Sequence, residues 1–265
     1  MASNPQLTIY THDFFEDHVD GSRRSAEVIV PLVLRLVPAR SVVDVGCGRG
    51  VWLTVFQQHG VYDVLGLDGA YVDPATLAMP AERFTPCDLT QPVRIDRRFD
   101  LAMSLEVAEH LPPPVAETFV ASLTRLAPVI LFSAAAPLQG GTGHLNEQWP
   151  DYWARRFEVH DYVAVDAIRT HVWHDPRVEW WYAQNTLVLV QRAALGRLPA
   201  LQRAFEQRRG QPLNVVHPGM YTTHHVANAP LGRVLARLPA AARRALVRRL
   251  GLAVAAPRRA VRLGH

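Results

Sequence analysis

The stretch SVVDVGCGRG, Ser41 to Gly50, is a short apolar run that meets Asp44 and then breaks into a turn carrying Gly46, Gly48 and Gly50. β-branched residues favour a strand, and glycines let a backbone turn sharply and come close to a ligand. The residues that follow, VWLTVFQQHG, have helical spacing and stop at Gly60. The stretch therefore predicts a buried strand, a glycine turn and the start of a helix. A dinucleotide fingerprint, G-x-G-x-x-G, would need glycine at 51, and that position is Val51.

The alternation continues on both sides. Upstream, Ser25 to Val37 has helical spacing despite Pro31. Downstream, DVLGLDG reads as a second strand, RFTPCDLTQP as a third and FDLAMSLEV as a fourth. Leu111 to Leu126 reads as a helix begun by prolines, and VILFSAA as a fifth strand. Such alternation predicts an α/β fold with a mostly parallel sheet and helices on both faces. The later pair DYVAVDAIR and EWWYAQNTLVLVQR looks like strand material for an antiparallel edge. In such sheets ligands lie beyond the carboxyl ends of the strands, so the chemistry is expected just after each one.

Composition narrows the function. All 28 basic residues are arginine, which excludes a Schiff-base lysine and a phosphate loop with its lysine. No apolar run approaches the ~20 residues that cross a bilayer. The polar, acidic start MASNPQLTIYTHDFFEDH does not fit a signal peptide. Cys47 and Cys87 are the only cysteines, so no disulfide framework is expected and a cytoplasmic setting is the simplest. From Leu231 onward there are nine arginines and no acid; the chain is +4, so the part before is 4 − 9 = −5. The expected organisation is a domain over 1–195, with 1–37 as an N-terminal helix or lid, and a helical, Arg-rich extension over 196–265. That extension suits an anionic membrane surface, a partner protein or RNA phosphates, with a solvated appendage as the default.

The order D-x-G-x-G-x-G, then Asp68 about twenty residues on, then Asp88 in PCDL, resembles class I S-adenosylmethionine (SAM) methyltransferases over Val42 to roughly Ala136. The resemblance implies their Rossmann-like fold and SAM as cofactor. By it, Asp44, Gly46, Cys47 and Gly48 line the methionine part of SAM, and Asp68 binds the ribose. Asp88 and Leu89 bracket the adenine, and Ser104 and Leu105 floor the pocket. Taken singly, each of these is equally a turn residue.

On the acceptor side, the fourth strand runs into SLEVAEHL, which sets Glu106, Glu109 and His110 at i, i+3 and i+4. The EVAEH turn resembles that of the O-methyltransferases of ubiquinone synthesis and of the small-RNA 2′-O-methyltransferases. In those families two Glu and a His hold a divalent metal, and a later His completes the set. His144 of GHLNEQW has the matching place, with Glu147 and Trp149 after it. The resemblance implies Glu106, Glu109, His110 and His144 as ligands for Mg, Mn or Fe. Read without a metal, the two Glu cap or pair with arginines and His144 acts alone as a general base.

His144, His110 and Glu106 are thus the candidate catalytic residues, and they favour oxygen over nitrogen, because a hydroxyl must lose a proton. GGTGHLNEQWPDYW and the later VHPGMY also resemble generic methyltransferases of polysaccharide and natural-product gene clusters, which implies a sugar, glycan or small-metabolite hydroxyl as acceptor. RNA 2′-O-methylation and a non-catalytic SAM-binding scaffold are the other readings; the net acidic body counts against nucleic acid. Trp173, Trp180, Trp181 and Tyr182 read as core or as a stacking surface, Tyr10, His12 and Arg23 as lid residues. His217, His224 and His225 fit no familiar metal spacing.

Overall fold

The computed structural model describes residues 12–222. The first helix, α1 (His12–Leu36), runs through Pro31 and begins well before the Ser25 start that spacing suggested. Then come β1 (Ser41–Val45), α2 (Val51–Gln58), β2 (Asp63–Asp68), β3 (Phe84–Pro86) and β4 (Leu101–Leu105). Next are α3 (Ala116–Leu126), β5 (Val129–Ser133), α4 (Pro150–Val159), β6 (Tyr162–Val165) and α5 (Arg169–Val172). The last are α6 (Trp180–Asn185), β7 (Leu187–Gln191), α7 (Arg192–Leu195) and α8 (Pro199–Arg208). The expected start of α3 at Leu111 is delayed to Ala116. Pro112, Pro113 and Pro114 lack amide donors, so a 3-10 turn over Pro113–Val115 fills the gap.

The seven strands of the described residues form one sheet in the order β3-β2-β1-β4-β5-β7-β6. All neighbours are parallel except β7, which is antiparallel to both β5 and β6. The order reverses between β1 and β4, so β1 and β4 flank the switch point. This is the α/β architecture with a mostly parallel sheet that the alternation predicted, and the Rossmann-like fold that the resemblance implied, with its antiparallel element near one edge.

Alternate residues of each strand enter two cores. Val42, Leu101, Met103, Val129 and Leu131 pack with α1, α2 and Val188 and Val190 of β7. Val43, Val45, Ala102, Ile130 and Phe132 pack with α3, α4 and Leu187 and Leu189. Helix α2 is apolar almost all round, with Val51, Trp52, Leu53, Val55 and Phe56 buried. It is too short to persist alone; burial at about 1.5–3 kcal/mol for each large apolar side chain holds it.

One segment departs from its sequence reading. EWWYAQN looked like strand, yet Trp180–Asn185 is helix and only Leu187–Gln191 is extended. The register explains the stop. β7 pairs with β5 up to Phe132–Leu187, so no ladder remains for earlier residues. The helix instead packs Tyr182 and Ala183 into the core and leaves Gln184 and Asn185 at the strand's entry.

The chain divides into a unit ending at His217 and a second beginning at Pro218; the described residues of the second, 218–222, are helical. Tyr10, His224, His225 and the arginines after Leu231 lie outside the described residues. Among the described residues no helix is long and apolar enough to cross a membrane.

Candidate active site

The glycine turn after β1 hangs from the end of β2. The amides of Gly46 and Cys47 both donate to the carbonyl of Leu67, at 2.7 and 3.2 Å. Gly46, Gly48 and Gly50 all have positive φ, at 89°, 51° and 75°. The Gly48 amide donates to Oδ2 of Asp68 at 2.7 Å. Asp68 thus ends its strand facing the turn and is joined to it by a bond across twenty residues. Its Oδ1 accepts from the Gly69 amide at 2.7 Å and from the Tyr71 hydroxyl.

Asp44 and Asp68 are 3% and 4% exposed, so this half of the site gathers two buried carboxylates. Burial pushes the pKa of Asp44 well above the usual carboxylate range, and the charge of Asp68 adds to it. Asp68 is also raised by burial, against the opposing hydrogen bonds from Tyr71, Gly48 and Gly69. Two neighbouring buried carboxylates call for a cation. SAM, the cofactor that the sequence resemblance implies, carries an ammonium and a sulfonium. Cys47 lies among the same groups, and burial with Asp44 and Asp68 raises its thiol, so it is inert here.

The other residues expected on this side are spread along the same edge. Ser104 and Leu105 end β4, buried, with the Ser104 hydroxyl oxygen unpartnered. Leu89 is buried, while Asp88 is exposed and its Oδ1 accepts from the amide and hydroxyl of Thr90. The Cys87 amide donates to the carbonyl of Asp68, which draws this segment toward the end of β2.

The acceptor half begins at Glu106. This residue has φ 54°, a left-handed conformation that costs a non-glycine residue about 1–2 kcal/mol. Such strain gathers where function needs a particular side-chain direction. Glu106 therefore stands before, not within, the helical turn that spacing suggested; the 3-10 turn covers Ala108–His110. Its carboxylate accepts from Nε2 of Gln139 at 2.7 Å and from Nδ2 of Asn185 at 3.2 Å. Asn185 also donates to Oε1 of Gln139 at 2.8 Å.

Glu109, His110 and His144 come together. One ligand-type atom of each lies within 4.8 Å of the others. Glu106 is not in that group; its carboxylate is engaged by two amides instead. The imidazoles of His110 and His144 meet edge to face with centroids 4.8 Å apart. Glu109 is fully buried, and its carboxylate oxygens have no well-formed hydrogen bond, only the approach of the Glu109 and Ala135 amides. Burial, reinforced by the charges of Glu106 and Glu147, raises its pKa well above the ordinary range, although the amides of Glu109 and Ala135 lower it in part. For His110, burial and the nearby His144 bring the pKa down to about 4, against a bond with the Gly143 backbone. Its ring is neutral at physiological pH and able to act as a ligand.

Backbone bonds fix the relation of the two segments. The amides of Leu145 and Asn146 both donate to the carbonyl of Glu109, at 2.7 and 2.9 Å. Glu147 aims the ring of His144. Its Oε1 takes Nδ1 of His144 at 2.8 Å and the Gly140 amide at 2.7 Å, and its Oε2 takes the Leu138 amide at 2.8 Å. With Nδ1 engaged, the lone pair of His144 is at Nε2. An unsatisfied buried carboxylate beside two imidazoles is a donor set suited to a divalent ion such as Mn²⁺ or Fe²⁺.

Sequence reasoning missed three residues. Gln139 and Asn185 complete the Glu106 cluster, and Tyr71 completes the ring of donors on Asp68. Asn185 had a signal: an amide pair, Gln184–Asn185, set between the aromatic WWY and the apolar run that begins at Leu187. The other expected residues fall elsewhere. Arg23 pairs with Glu27 on the surface, Trp173 carries a ring contact with His217, and Tyr182 packs edge-on against Trp52.

A family model described as a methyltransferase domain matches residues 18–174. No curated protein matches the chain. Among solved structures, the sugar N-methyltransferase KedS8 from Streptoalloteichus sp ATCC 53650 has a TM-score of 0.54 at 15% identity, covering 69% of this chain and 93% of that one. DesVI of Streptomyces venezuelae has a TM-score of 0.51 at 15% identity, covering 71% of this chain and 99% of that one. At that identity the likeness is one of fold. The family match spans more than half the sequence and contains both the glycine turn and the Glu109–His110–His144 group, and the chain belongs to the methyltransferase-domain family.

Proposed function

We propose that the chain transfers the methyl group of SAM to a hydroxyl of a sugar, glycan or related small metabolite. The observation that carries this reading is the buried, unsatisfied carboxylate of Glu109 set against His110 and the Glu147-aimed His144. A sulfonium methyl is already activated, so the protein must align the acceptor and take its proton. An amine with a free lone pair needs no such group; a hydroxyl does.

Asp44 and the Gly46–Gly48 turn hold the amino-acid end of the cofactor, and Asp68 holds its ribose. SAM supplies the methyl as an electrophile. Without an ion, His144, with Nδ1 held by Glu147, accepts a proton at Nε2, the same atom that would otherwise serve as a metal ligand. Glu106, fixed by Gln139 and Asn185, orients a second hydroxyl of the acceptor. Glu109, His110 and His144 would hold a divalent ion, which lowers the pKa of a coordinated hydroxyl. A vicinal diol fits this arrangement, and a sugar offers one.

RNA 2′-O-methylation is the second reading, favoured by the same three residues because a terminal ribose is also a vicinal diol. Incubation with labelled SAM and nucleotide sugars, with a short RNA in parallel, separates the two by mass spectrometry. Label on the sugars is expected. Label on the RNA alone would move the assignment to the second reading. Activity should fall in excess EDTA and return with Mn²⁺ or Mg²⁺; full activity in chelator would remove the metal and leave His144 as the base.

A further inference from the structure

Of the roughly four acceptor positions on the Asp68 carboxylate, the chain itself takes three, which leaves one for a ribose that presents two hydroxyls. Gly48 holds Oδ2, and Gly69 with Tyr71 holds Oδ1. The two amides are backbone groups of the turn and the strand end, so they stay. The Tyr71 hydroxyl is different in kind. It comes from a side chain that is 41% exposed, three residues beyond the acid.

The backbone has been shaped to admit that side chain. A Cβ on Gly69 would lie 2.1 Å from Cε1 and 2.5 Å from Cδ1 of the Tyr71 ring. Only glycine at 69 lets the ring lie back over the end of β2. The segment closes with the Val72 amide on the Gly69 carbonyl at 3.1 Å, and Asp73 then caps the 3-10 turn Pro74–Thr76. The ring is thereby placed against Asp68 by a short, surface-lying stretch.

We propose that Tyr71 is a placeholder for the cofactor's ribose: its hydroxyl occupies Oδ1 of Asp68 in the free chain and yields that position to a ribose hydroxyl on binding. This rests on the reading of Asp68 as the ribose acid. The exchange replaces one hydroxyl donor by another, so no buried carboxylate oxygen is left without a partner in either state. Binding exchanges a bond where it would otherwise add one, which holds down affinity for SAM and for its demethylated product alike. Product release is correspondingly easier, because Tyr71 returns to Asp68 as the ribose leaves.

The test is calorimetric titration with S-adenosylhomocysteine, which needs no acceptor and no turnover. Tyr71→Phe keeps the ring over Gly69 and removes the competing donor. It is expected to tighten binding by about 5- to 30-fold, the weight of one hydrogen bond to a carboxylate with water taking part of its place. The ligand-free variant should also melt lower than the parent, while the ligand-bound forms melt closer together. In an Asp68→Asn background Tyr71→Phe should change affinity by less than about twofold, since the exchanged bond is no longer to a charge. Equal or weaker binding by Tyr71→Phe, with the parent binding normally, overturns the placeholder and makes Tyr71 a bystander or a cofactor contact. No heat from parent or variant with either SAM or its product overturns the ribose assignment, and the placeholder falls with it.

Discussion

Gly46 and Val107 join the two halves of the site, and their contact can be tested by a mutant cycle. A Cβ on Gly46 would stand 2.4 Å from Cγ2 and 2.7 Å from Cγ1 of Val107. The backbone there has φ 89°. Gly46→Ala therefore carries two costs: left-handed strain of about 1–2 kcal/mol and overpacking of about 1–3 kcal/mol. The single variant should lose about 2–5 kcal/mol. Val107→Ala alone removes two half-buried methyl groups, a loss of about 1 kcal/mol. In the double variant the collision is gone and the strain remains. The loss should fall short of the sum of the singles by about 1–3 kcal/mol. Urea denaturation of the four proteins measures the cycle, and calorimetry with S-adenosylhomocysteine should follow the same order if the turn holds the cofactor as proposed. Additivity within about 0.5 kcal/mol would refute the argument. Glycine at 46 would then answer to its backbone angle alone, and the cofactor turn and the EVAEH turn would not be pressed together.

Two further outcomes follow from groups described above. Glu147→Ala frees His144 and leaves the amides of Leu138 and Gly140 unpartnered; turnover should fall about 10- to 100-fold while the Kd for S-adenosylhomocysteine stays within twofold, and equal losses in both would place Glu147 in the general stability of the loop. Asp166 is buried with Arg169 and Arg208 on its Oδ2 at 2.8 Å each; burial disfavours its charge, but the two arginines prevail and hold its pKa below the usual value. Its contribution to stability is present above the ordinary carboxylate pKa and is lost as pH falls through the lowered one, so thermal melts should drop on acidification below about pH 4. Asp166→Asn should cost about 3–5 kcal/mol at neutral pH and flatten that acid limb, and an unchanged limb would assign the loss to other carboxylates.

The cofactor half was legible because its parts are local. Strand, turn and helix follow one another from Ser41 to Gln58, each with its own residue pattern, and Asp68 ends the next strand. The acceptor half was legible only in part. Glu109 and His110 adjoin in sequence, and His144 follows one strand later, so a likeness of motifs could place them together. Glu106 joins Gln139 and Asn185 across 33 and 79 residues, and nothing in spacing shows that two amides would claim it. The left-handed turn at Glu106 is equally silent in a residue type that rarely adopts it. Helix α6 was hidden for a different reason. Trp180, Trp181 and Tyr182 have strand propensity, but the sheet had no partner to offer them, and packing decided against propensity. For Tyr71 the adjoining Gly69 was visible, but glycine near an aspartate reads as an ordinary turn.

The reversal of β7 has a consequence for how this scaffold diversifies. Every other strand delivers its last residues to the ligand edge, so its contribution there is tied to the loop that leads away. β7 arrives from that edge, and what precedes it, Gln184 and Asn185 on α6, stands opposite Glu106. A chain of amides continues outward, Gln184 Nε2 to Asn185 at 3.1 Å and the His217 amide to Gln184 at 2.8 Å. Drift in this cassette changes the surroundings of Glu106 while the Gly46 turn and Asp68, on the far side of the switch point, are left alone. The two halves of the candidate site can thereby vary independently, because they hang from strands of opposite direction.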